Sequence, residues 1–220
     1  MIKYEVDPLK IRKKSSKLIR EQLSLDHLSE LEQKIAIEMI QVSGDTTILE
    51  DMRFSKLAVD IALKCLADDY ELLCDTEMVA CGLKAKYLKD EPICLIRKAN
   101  VISQAKAKKH TRSMEAVDLW KPYFDESIIL IGAEPTALFR LLEILEEMKE
   151  EDDDKKPLLI IATPSGFTGA AEAKEYLWNN HEKLGIPCIT LLGSKGSSSL
   201  CVRIMNALLK MQKDIEIEQN

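Results

Sequence analysis

"LLIIATPSGFTGAAEAK", residues 158–174, is the stretch on which the fold turns. Its opening run, "LLIIAT", is apolar on both alternating faces, as in a parallel strand covered by helices on each side. The run breaks at a small polar turn containing Gly166 and Gly169, and an Ala-rich helical pattern follows over residues 169–180. Small residues at that junction let something approach the backbone closely.

The same order of apolar run, turn and helix recurs on either side. The other runs are "ELLC" (71–74), "ICLI" (93–96), "SIILI" (127–131) and "CITLL" (188–192). Helical patterns lie between and after them, at 98–109, 111–120, 135–149 and 199–211. Strand–helix alternation predicts right-handed βαβ units and one open parallel sheet. The first 67 residues read instead as helices. "DPLKIRKKSSKLIREQL" gathers Ile11, Ser15, Leu18 and Ile19 near one face. "LSELEQKIAIEMIQ" opens on Ser29-x-x-Glu32, a capping box, and stops at Gly44. A third helix is expected from Ser55 to Ala67. The charged run "EEMKEEDDDKKP" (146–157) reads as a solvated loop within one domain, and the tail 213–220 as frayed.

Composition excludes several functions. The chain has 220 residues, 46% hydrophobic and 31% charged, with net charge −6, so a general nucleic-acid binder, normally basic, is not expected. The basic run Lys106 to His110 is equally well a solvated helix face. Six cysteines lack C-x-x-C spacing, and Cys65, Cys74, Cys94 and Cys188 sit in apolar runs, so they read as reduced, buried thiols of a cytoplasmic protein. With three histidines at no ligand spacing, no metal site is expected. The N-terminus shows no apolar signal region, and no apolar run reaches the roughly 18 residues that span a membrane.

Ligands of open parallel sheets bind beyond the carboxyl ends of the strands. Here that edge reads "CDTEM" (74–78), "IGAEPTALF" (131–139), "TPSGFTGAAEAK" (163–174) and "LGSKGSSSL" (192–200). Gly166, Gly169, Gly193 and Gly196 permit tight turns. Free N–H groups at the helix starts, with Thr136, Thr168, Ser197, Ser198 and Ser199, would bind anionic oxygens. Such turns also serve any α/β protein as plain connections. Neither G-x-G-x-x-G nor G-x-x-x-x-G-K-[ST] occurs, which removes the dinucleotide and P-loop fingerprints. The residues alone leave open whether the anion is a carboxylate or a phosphate.

In order along the chain, "VDPLKIRKKSSKLI", "MIQVSGD", "LLCDTEMVACGL", "TRSMEAVDLW", "IGAEPTALFRLLE", "ATPSGFTGAAEAKEYL" and "GSKGSSSLCVRIMNAL" resemble the motif series of the precorrin-8X methylmutase family, the precorrin isomerases of cobalamin biosynthesis. The resemblance implies one domain over residues 1–220, a three-layer, flavodoxin-like α/β/α fold with a five-stranded parallel sheet and N-terminal helices. It implies a homodimer with the active site near the subunit interface, and no metal or organic cofactor. The implied reaction moves a methyl group between neighbouring ring carbons of a corrin precursor, giving hydrogenobyrinate or its cobalt form. The implied partner is thus a corrin ring bearing many carboxylates.

The family's acid is a histidine followed by two small residues and Gly. The matching stretch here is Gln41, Val42, Ser43, Gly44, so the histidine position holds Gln41, which has no useful proton to give. Glu38 stands where an arginine often precedes that histidine, setting a negative charge beside a carboxylate site. The resemblance also gives Ser15 as a residue near substrate and Arg112 as a carboxylate partner, for which a buried ion pair is the alternative. Asp75 is a site residue or a helix cap. Thr136 keeps its place in the turn after residues 127–131, and Gly166, Thr168, Gly169, Lys195 and Gly196 complete the binding edge, Lys195 supplying positive charge where Ser194 replaces an arginine. His110, next to Thr111 and Arg112, is a candidate surrogate acid or a surface histidine. Under a second reading the chain binds corrinoid without turnover; a third takes another carboxylated or phosphorylated metabolite as substrate.

Overall fold

The apolar runs form a five-stranded sheet in the computed structural model, which describes residue 2, residues 4–151 and residues 155–219. The strands are β1 (Met52–Phe54), β2 (Glu71–Cys74), β3 (Ser127–Ile131), β4 (Leu159–Ala162) and β5 (Cys188–Leu191), in the order β1-β5-β4-β3-β2. Strands β2 to β5 run parallel, and β1 pairs antiparallel with β5.

The expected all-parallel sheet is therefore corrected at its two edges. The run at 93–96 contributes a single bridge, Ile93 to Leu73 on the outer side of β2. Ile93 N–H donates to the Leu72 carbonyl at 2.8 Å and Cys74 N–H to the Ile93 carbonyl at 2.9 Å. Pro92, before it, has no N–H to extend a ladder, and the chain turns at residues 96–97. With Ile93 counted as a vestigial strand, the parallel strands keep the 2-1-3-4-5 order of flavodoxin-like sheets. The place at the other edge is taken by β1, whose three residues are too short for a periodic signal.

Helices cover both faces: α1 (Pro8–Gln22), α2 (Glu30–Ser43), α3 (Ala58–Ala67), α4 (Glu77–Gly82), α5 (Ala99–Lys108), α6 (Arg112–Val117), α7 (Pro135–Glu150), α8 (Ala170–Leu184) and α9 (Ser198–Gln219). The capping box forms as read: Glu32 N–H donates to Ser29 Oγ at 3.3 Å and Ser29 N–H to Glu32 Oε2 at 2.8 Å. Gly44 ends α2 at φ 66°. The third helix starts at Ala58 rather than Ser55, after Leu57 at φ 60°.

Strand residues alternate between two cores, because successive side chains point to opposite faces. Leu72, Ile128, Leu130, Leu159, Ile161 and Ile189 join α2, α3, α4 and α9. Leu73, Ile129, Ile131, Ile160 and Cys188 join residues of α5 to α8. These are the three layers. The tail is not frayed: α9 runs to Gln219, with Met211 and Ile215 packed on the first core, and only residue 220 lies outside the described residues. Residues 146–150 of the charged run belong to α7, and residues 152–154 lie outside the described residues. No cysteine forms a disulfide; Cys74, Cys188 and Cys201 are buried, while Cys65 and Cys94 are only partly so. No helix among the described residues is long and apolar enough to cross a membrane.

Candidate functional site

The carboxyl ends of β2 to β5 bring the expected turns to one rim. At the β2–β3 junction, where the strand order reverses, Asp75 is fully buried. Its Oδ2 accepts the N–H groups of Ala133 at 2.8 Å and Glu134 at 3.0 Å, the residues leading into α7. Burial raises its pKa, and the backbone donors oppose the rise. The carboxylate therefore caps the turn from beneath.

Beside it, Thr136 in the first turn of α7 shares a hydrogen bond of 2.8 Å with Thr111, the N-cap of α6. Arg112 opens α6, is exposed, and makes no ion pair among the described residues, so the buried-pair alternative does not apply. His110 precedes the cap. Its Nδ1 lies 2.6 Å from Glu115 Oε1, and Lys108 Nζ lies 2.9 Å from Glu115 Oε2. Glu115 is buried; burial pushes its carboxyl up, but the Lys108 and His110 contacts outweigh that and leave it lowered. The dyad fixes the imidazole and leaves Nε2 as its outward nitrogen.

Gly169 ties the β4 turn to α7. At φ 79° it begins α8, and a Cβ there would sit 3.2 Å from the Phe139 ring. Thr168 and Phe167 are exposed, Phe167 at 102%, and Met78 at the start of α4 is 71% exposed. Large apolar side chains left exposed at a polar rim mark an interaction surface. Gly166 N–H donates to the Ser194 carbonyl at 3.1 Å, and Thr163 Oγ1 to the Ser197 carbonyl at 3.0 Å, so the β4 and β5 turns lie against each other. Lys195 reaches Asp45 Oδ2 at 2.6 Å and Thr47 Oγ1 at 2.5 Å, just past the end of α2. That contact with Lys195, then those with Thr47, lower the Asp45 pKa to about 2.

Gln41 closes the series on α2. Its Nε2 donates to Ser16 Oγ at 2.8 Å, and Ser16 Oγ donates to the Arg12 carbonyl at 3.1 Å. Ser15, the serine given by resemblance, donates to the Ile11 carbonyl within its own helix at 3.0 Å. Glu38, one turn before Gln41, pairs with Arg12 and with Arg203 of α9. Two guanidiniums against one carboxylate make the local charge positive, which reverses the expected negative charge at this position.

Within one chain the rim is continuous from Arg112 through Thr136, Gly169 and Gly196 to Lys195 and Asp45. No hydrogen bond or ion pair joins Gln41 and Ser15 to Arg112 and His110, which belong to opposite faces of the sheet. A groove of about 480 Å³ lies elsewhere, between His27, Met52, Arg53 and Trp178. Among the described residues no group of three or more His, Cys, Asp or Glu is placed to hold a metal ion.

The sequence reading passed over Lys174. It stands with Ala170, Ala173 and Leu177 on the buried stripe of α8, spacing that marks a core position. Its side chain is 0% exposed, and its Nζ donates to the Lys195 carbonyl at 2.5 Å. Burial lowers its pKa from 10.5 to about 8, with Asp51 opposing. A lysine depressed on folding destabilises the native state fully below its folded pKa, and the cost fades as pH rises towards the unfolded value. Stability is thus expected to rise by roughly 3 kcal/mol between pH 8 and 10.5 from this group. Urea unfolding across that range checks it: Lys174→Met should lack that part of the slope.

The sequence profile of the precorrin-8X methylmutase (CbiC) family matches residues 10–211. A precorrin-8X methylmutase of Pseudomonas aeruginosa is 34% identical over 210 residues, covering 94% of this chain and 98% of that protein. A cobalt-precorrin-8 methylmutase of Leptospira interrogans is 32% identical, covering 90% of this chain and 91% of its own length. The crystal structure of precorrin-8X methylmutase from Thermus thermophilus superposes with a TM-score of 0.79 at 29% identity, covering 94% of this chain and 97% of that one. The profile match over residues 10–211 and the identity along nearly the whole length leave one conclusion: this chain belongs to the precorrin-8X methylmutase family.

Proposed function

We propose that this chain is a cytoplasmic isomerase of cobalamin biosynthesis that moves a methyl group between neighbouring ring carbons of a corrin precursor. The reaction is intramolecular: one carbon–carbon bond breaks, another forms, and a borrowed proton is returned, so no cofactor is consumed. Arg112 is the observation that carries the reading. An exposed guanidinium without an ion pair among the described residues, directly after the Thr111 cap that bonds Thr136, suits a carboxylated macrocycle. Thr136, Thr168, Gly166, Gly169 and Gly196 complete the grip, Lys195 bracing the last turn against Asp45, and Asp75 supports it from below. A homodimer supplies the rest: Gln41 and Ser15, on the opposite face of the sheet from Arg112 within one chain, face a ring held on the partner protomer.

A second reading, corrinoid binding without turnover, is favoured by one fact. Gln41 donates a neutral amide N–H to Ser16 where the family reaction needs an acid. His110, fixed by Glu115, is the surrogate acid of the first reading.

Single-turnover absorbance with the pathway substrate separates the readings. A spectral change with the native chain supports isomerisation, and tight binding without change supports the carrier reading. No tetrapyrrole binding, with binding of sugar phosphates or nucleotides instead, would sink both. If His110 is the acid, His110→Ala should slow the step by about 10²–10⁴-fold, and an unchanged rate removes it from the mechanism. Arg112→Ala should weaken binding in either case.

A further inference from the structure

We propose that Lys174 is a positioning residue for the ligand: by drawing the Lys195 carbonyl inward, it aims the N–H of Gly196 at the rim, where a corrinoid carboxylate docks. The proposal rests on the corrinoid site argued above and names what orients one of its turns.

Three observations carry it. Lys174 is fully buried and makes no ion pair among the described residues; its ammonium donates only to the Lys195 carbonyl, at 2.5 Å, while Asp51 acts on it through space. A buried ammonium so placed is a poor stabiliser, since an apolar side chain of similar volume is commonly neutral or better. Its presence therefore points to the turn it holds rather than to the core. Next, the peptide plane is rigid, and there are no cis bonds among the described residues. In a trans peptide the C=O of Lys195 and the N–H of Gly196 point in opposite directions. Fixing the first in the interior turns the second outward, and the Gly196 N–H has no partner among the described residues. Third, Gly196 is wedged against the Thr163 and Pro164 carbonyls, so the plane cannot slide to compensate. The α9 helix begins two residues later, and its positive dipole end reinforces an anion at the same place. Lys195's own ammonium is turned away, towards Asp45 and Thr47.

The experiment is Lys174→Met in the full-length protein, titrated with hydrogenobyrinate at pH 7 and followed by absorbance. The unfolding midpoint should equal or exceed that of the native chain, while Kd weakens by about 10- to 100-fold. Amide hydrogen exchange over residues 193–198 should quicken. Lys174→Gln, which keeps a donor for the carbonyl, should lie between the two. Native-like affinity in Lys174→Met overturns the proposal and leaves the corrinoid reading intact. A variant that loses stability, and binds less only in proportion, assigns Lys174 to the fold and also overturns it. A native chain that binds no hydrogenobyrinate overturns the corrinoid reading, and the proposal falls with it.

Discussion

Replacing Gln41 by His should raise the single-turnover rate of methyl migration by about 10²–10⁴-fold, the usual worth of a positioned general acid. The side chain is half-buried at the last turn of α2, and its amide nitrogen donates to Ser16 Oγ at 2.8 Å. Ser16 already gives its own hydrogen to the Arg12 carbonyl, so its oxygen is left to accept. An imidazole at position 41 can use one nitrogen for that contact and present the other to substrate. The flanking charges help. Arg12 and Arg203 outnumber Glu38, and net positive charge disfavours imidazolium, making it the stronger acid. Rapid-mixing absorbance reads the gain, with Gln41→Asn as the neutral control. If the native chain is fast and Gln41→His gains nothing, the acid lies elsewhere, and His110 is the next to test.

Gly196→Ala is the second large effect. A Cβ there would lie 2.3 Å from the Thr163 carbonyl oxygen and 2.5 Å from that of Pro164. Both are backbone atoms, which cannot rotate away as a side-chain tip can. The β4 and β5 turns must separate, and two hydrogen bonds go with them: Gly166 N–H to Ser194 and Thr163 Oγ1 to Ser197. Overpacking of this kind costs about 1–3 kcal/mol, or roughly 2–12 °C in Tm for a chain of this size. The larger effect should fall on binding, because the displaced turn carries Lys195 and the Gly196 N–H. Calorimetry with and without hydrogenobyrinate separates them. A native Tm with native affinity would show that the turns are not pressed together.

How much of this was legible in the sequence depended on the kind of force involved. Strands β3, β4 and β5 could be read because burial on both faces demands apolar residues at every position. The run at 93–96 carries the same composition yet stands at an edge after Pro92, where one neighbour and a missing donor leave only a bridge. β1 could not be read, since three residues with Arg53 in the middle have no period, and their pairing partner lies more than 130 residues away. The rim turns were visible in their glycines and hydroxyls, but their contacts were not. That Asp75 faces two backbone N–H groups, or that Glu38 sits between two arginines, depends on helices distant in the chain. Lys174 was legible in principle: its buried spacing on α8 was there, though a lysine in "EAKEYL" reads first as a solvated face.

The layer that carries Gln41 is assembled from both ends of the chain. Helices α2, α3 and α4 pack on α9, which spans residues 198–219, whereas the opposite layer is made of the intervening segment. During synthesis, the middle of the chain can cover its face of the sheet while α2 still lacks its partner. Contacts this far apart in sequence close late, because the intervening loop must be ordered first. The helix bearing Gln41 therefore becomes fixed only when the 22 residues of α9 have emerged, and a chain cut short before α9 leaves that helix without the surface it packs against.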